Sequence, residues 1–111
     1  MKPILETFPA DVQEFVRPVL KMADKGGGDV EIALAGMTAR VLEGVERGAL
    51  SPQKADDYFS YLDMFLDEKT DVDLSDDAKT LIMEGLHFHD WGTPFAPDLP
   101  AMREIVGRIL K

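Results

Sequence analysis

Apolar residues recur at three- and four-residue spacing along most of the chain, and no stretch alternates as a half-buried strand would. The first such segment, residues 9–23, sets Val12, Phe15, Val16, Val19 and Ala23 on one face. Pro18 lies off that stripe, but it leaves the Glu14 carbonyl without its donor and predicts a kink. Gly26, Gly27 and Gly28 then predict a break, with Asp29 capping a second helix that Gly48 closes. Ser51 and Pro52 make a strong start for a third helix: a hydroxyl cap, then a proline where no donor is lost. That helix is predicted to end near Asp67, where the polar run DEKTDVD follows. Ser75 caps a fourth, with Asp76 and Asp77 at the positive end of its dipole. The fifth starts near Asp98 and buries Met102, Ile105, Val106 and Ile109.

The second helix, over about residues 30–47, differs from the others because it is apolar on two sides. Val30, Ala33, Leu34, Met37, Val41 and Val45 form one face, and Ile32, Ala35, Ala39 and Leu42 a second stripe roughly opposite. Arg40, Glu43 and Arg47 run between them. A helix with two apolar sides is normally enclosed by neighbours, and Gly36 and Gly44 are expected to let them approach closely. The pattern therefore predicts an all-α fold: a compact bundle of about five helices around this central one, residues 1–111 forming a single domain.

Composition narrows the function classes. There is no cysteine, which removes disulfides, thiolate metal sites and cysteine nucleophiles and suits a reducing compartment. The opening MKPILETF is interrupted too soon, by Glu6 and Pro9, to read as a signal peptide, and a cytoplasmic location is expected. The net charge of −9 is concentrated: residues 56–90 hold eleven acids against two bases, while the flanking regions are close to neutral. Such a surface repels phosphate backbones and anionic membranes, so neither nucleic acid nor membrane is expected as a partner.

The segment HFHDWG, residues 87–92, holds both histidines and the single tryptophan. If the fourth helix continues through His89, then His89 shares the buried face of Ala78, Leu81, Ile82, Gly85 and Phe88. His87 then points roughly 160° away. On that reading Gly92 ends the helix in the left-handed conformation, Pro94 stops it, and Trp91 with Phe95 closes the core. Were the chain extended here, His87, His89 and Asp90 could act as metal ligands with help from distant acids, since zinc takes three or four protein ligands. An EF-hand register from Asp73 puts Ser75, Asp77 and Glu84 in place but has Ala78 where the loop requires glycine. Neither a nucleophile elbow nor a phosphate-binding glycine loop after a strand is present, and no cofactor is expected.

The third helix carries the best candidate surface. Ala55, Tyr58, Phe59, Leu62, Phe65 and Leu66 make its core face, leaving Tyr61 and Met64 among Asp57, Asp63 and Asp67. An aromatic and a methionine beside carboxylates suit a protein contact. The leading expectation is a small, acidic, non-catalytic interaction module that binds a basic protein through its third and fourth helices. A metal-dependent enzyme using His87, His89, Asp90 and nearby aspartates is the alternative. A self-associating subunit is the third.

Overall fold

A computed structural model describes residues 9–23, 27–68 and 74–110. Five helices follow in order: α1 (Ala10–Ala23), α2 (Gly27–Glu46), α3 (Pro52–Glu68), α4 (Asp76–Gly85) and α5 (Leu99–Ile109). A single 3-10 turn, Phe88–Asp90, lies between the last two. No strand occurs among the described residues, and none of their helices is long and apolar enough to cross a membrane. The fold is an all-α bundle.

The central helix is where the two-sided pattern puts it. Helix α2 packs against α1, α3, α4 and α5. Val30, Leu34, Met37, Val41 and Val45 are buried on its first face, Ala35 and Leu42 on the second. Ile32 is the exception: at 53% exposure it stands outside the bundle. Thr38 is the buried polar side chain of the core, and its hydroxyl donates to the Leu34 carbonyl at 2.8 Å. That local bond meets its hydrogen-bonding need without a partner from another helix.

Two glycine expectations change. Helix α2 begins at Gly27, so two of the three glycines read as a break belong to the helix, and Gly26 lies outside the described residues. Nothing approaches the position a Cβ would take on Gly36, so close packing does not explain that residue. Gly44 does need to be small, because a Cβ there would meet Leu50 Cβ at 3.0 Å. The chain folds back tightly at that point: Ala49 and Leu50 N–H groups both donate to the Gly44 carbonyl, and Gly48 takes φ +74°.

Ser51 and Ser75 cap their helices as predicted, and Asp98, near which the fifth helix was expected to start, caps it as well. Ser51 accepts from the Lys54 N–H at 3.2 Å, Ser75 from Ala78 at 3.2 Å and Asp98 from Ala101 at 3.1 Å. Ser75 is thereby occupied as a cap and Asp77 is paired with Arg108, which leaves the EF-hand register without two of its ligands.

Candidate functional site

The flank of α3 that faces α4 and the 3-10 turn gathers most of the chemistry of the acidic segment. At 100° per residue Asp56, Ser60, Asp63 and Asp67 fall on this side. Asp57, Tyr61 and Met64 fall on the other flank, so the five-residue patch expected on α3 divides in two. Asp63 is exposed, Met64 is 51% exposed, and Asp57 and Tyr61 are half-buried, Tyr61 packing against the edge of the core. Asp67 lies in the last turn of α3, and its side chain falls outside the described residues.

Asp63 borders a groove of about 300 Å³ between α3 and α4. Leu66, Leu74, Ile82 and Leu86 supply its apolar lining, and Lys79 and Met83 complete it. Met83 is 64% exposed, an unusual position for a flexible apolar side chain. Met83 lies off the buried stripe of α4, so apolar spacing does not single it out. Its proximity to Asp63 depends on how two helices pack.

The histidine segment departs from the sequence expectation. Helix α4 stops at Gly85, and Leu86 caps it by donating to the Glu84 and Ile82 carbonyls. The Phe59 ring packs so closely at this point that a Cβ on Gly85 would fall 2.2 Å from it. The backbone turns there and folds the next residues into the 3-10 turn, burying Phe88 against Phe59 with ring centroids 6.0 Å apart. His89 is consequently exposed rather than buried, and it does not oppose His87. The two rings lie 6.2 Å apart at 24°. One oxygen of Asp90 sits 3.3 Å from His87 Nδ1 and 3.3 Å from His89 Nε2. His89 Nδ1 is 3.4 Å from Asp56 on α3, a pairing 33 residues apart that no local pattern signals.

The aromatic plug is likewise corrected. Trp91 stacks on Phe88 at 5.9 Å but remains exposed, and Phe95 is 72% exposed, so neither closes the core. Gly92 does take the left-handed conformation at φ +86°, after the 3-10 turn rather than after α4. Pro97 is buried in the connection that leads to α5, and Pro100 lies in the first turn of that helix.

Electrostatics around this surface is open to water. Both imidazoles are exposed, so their contacts with Asp90 and Asp56 are screened and weak. Among the described residues, no three histidine or acidic side chains are arranged to hold one metal ion. At the edge of the surface, Arg108 pairs with Asp77 at 2.9 and 3.2 Å and holds its carboxyl below the usual range. On the other side of α3, where Tyr58 stacks on Phe15 of α1, burial pushes its phenol up. No family model, curated protein or solved structure matches the chain.

Proposed function

We propose that the protein is a non-catalytic cytoplasmic interaction module that binds a basic partner protein on the α3–α4 flank. One observation carries the reading: the exposed Met83 stands over an apolar groove inside the most acidic segment of the chain. The groove offers an anchor point for a Leu or Met side chain of the partner. The carboxylates on this flank, Asp63 at the groove and Asp56 further along α3, favour a cationic surface. Charges at such a rim mainly raise the rate of encounter and select the partner's sign, while the buried apolar anchor supplies affinity.

The test is an amide NMR titration with a helical Leu/Lys amphipathic peptide, alongside its Leu/Glu counterpart. Shift changes are expected at Asp63, Leu66, Ile82, Met83 and Leu86 with the Lys peptide alone. Affinity should fall as salt rises, and Met83→Ser should weaken binding about tenfold, the equivalent of one buried apolar side chain. Shifts centred elsewhere, or an affinity indifferent to salt, would defeat the reading.

A second reading, a metal-dependent enzyme at His87, His89 and Asp90, draws support from the oxygen of Asp90 that both imidazoles approach. An ion there would require one ring to rotate, with Asp56 as the nearest further carboxylate. Titration with zinc or nickel decides it. Stoichiometric binding abolished by His89→Ala supports the site, and no binding at micromolar metal removes it.

A further inference from the structure

We infer that the groove between α2 and α5 is a contact surface for a second copy of this chain. It measures about 450 Å³ and is floored by Ala39, Leu42, Val106 and Gly107. Its rim carries Glu43, Glu46, Arg47 and Arg103. On each side the charges are paired, Glu43 with Arg47 at 2.9 Å along α2 and Glu46 with Arg103 across the groove.

Charge identifies the occupant. Two molecules of net charge −9 repel each other over most of their surfaces. This rim has two acids and two bases, so it sums to zero, and an apolar floor separates its charges. A twofold axis through the groove brings the same patch onto itself, and a rim holding both signs can then pair with its own copy. Arg103 of one copy is free to exchange Glu46 for an acid of the other with no net loss of ion pairs. A strongly basic partner, by contrast, gains nothing here that the α3–α4 flank does not offer better.

The apolar stripe also continues past the groove. Ile32 lies seven residues before Ala39, on the same side of α2, and is 53% exposed. Leu110, four residues after Val106, is 45% exposed. Gly36 on α2 and Gly107 on α5 have open space where a Cβ would project, which leaves this face flat enough for another helix to lie against. This accounts for Ile32, the apolar residue of the central helix that no neighbour in the bundle covers.

Sedimentation equilibrium of the full chain, across protein concentration and salt, tests the inference. A concentration-dependent dimer is expected, and salt should strengthen it by screening the net repulsion. That dependence is opposite to the one expected for basic-peptide binding, so the two ideas fail separately. Gly107→Gln puts a neutral polar side chain into the groove without a clash and should raise the dimer dissociation constant at least about tenfold. Ile32→Gln should act in the same direction, and neither variant should lower the melting temperature of the monomer, since glutamine has the better helix propensity at Gly107 and Ile32 is exposed. Met83→Ser, on the far flank, should leave the dimer intact. A chain that stays monomeric at every concentration and salt overturns the inference, as does a dimer that survives both glutamine variants.

Discussion

At the scale of single residues, the decisive position is Gly85. It was placed on the buried face of α4 by spacing alone, but spacing does not reveal that the Phe59 ring occupies the volume its Cβ would need. Beyond Gly85 the helix gives way to the 3-10 turn, which brings the His87 and His89 rings near each other and leaves Trp91 and Phe95 exposed. The residue identities of the candidate site were therefore legible, and their geometry was not, because it depends on that turn and on packing against Phe59, 26 positions before Gly85 along the chain. Gly85→Ala should destabilise the protein by about 1–3 kcal/mol, the usual range for overpacking a core. Alanine's better helix propensity, worth under about 1 kcal/mol, is too small to offset the clash. Urea unfolding should show a lower midpoint with an unchanged slope. A midpoint equal to that of the parent would mean Phe59 moves aside freely.

At the scale of elements, the starts of the helices were readable because a cap is a bond within three residues. Ser51, Ser75 and Asp98 each accept from the backbone N–H three residues on. The start of α2 was not, since glycine disfavours helix by up to about 1 kcal/mol per residue and yet Gly27 and Gly28 lie inside it. Packing of Val30 and Leu34 against the bundle outweighs a local preference of that size. Ser75 has a second role that sequence does not show: its hydroxyl and N–H both donate to Glu31 of α2, so the cap also ties α4 to the central helix. Ser75→Ala should cost about 1 kcal/mol through the cap. Because Glu31 loses its hydroxyl donor at the same time, keeping only the Ser75 N–H, the losses from Ser75→Ala and Glu31→Ala should not add in a double-mutant cycle. Simple additivity would reduce Ser75 to a local cap.

At the scale of the whole molecule, the two-sided pattern of α2 was enough to specify a bundle around it. Which helices are tied together is a matter of cross-chain ion pairs. Lys54 and Asp11 join α3 to α1 at 2.9 Å, and Arg108 and Asp77 join α5 to α4. In each pair the cation holds its carboxyl below the ordinary value of 3.8. A carboxyl whose folded value is depressed stabilises the fold fully above its unfolded value and loses that contribution as pH falls through the folded one. The effect belongs to the window below 3.8, and it is modest because both pairs are solvent-exposed. Thermal midpoints measured from neutral pH downward should therefore show an acid limb beginning near 3.8 and steepening below it. The double variant Asp11→Asn/Asp77→Asn should be slightly less stable at neutral pH and shallower on that limb, so that its curve approaches the parent's at the acid end. Parallel curves over the whole range would show that these two pairs do not link the helices energetically, and that the bundle is held by the faces around α2 alone.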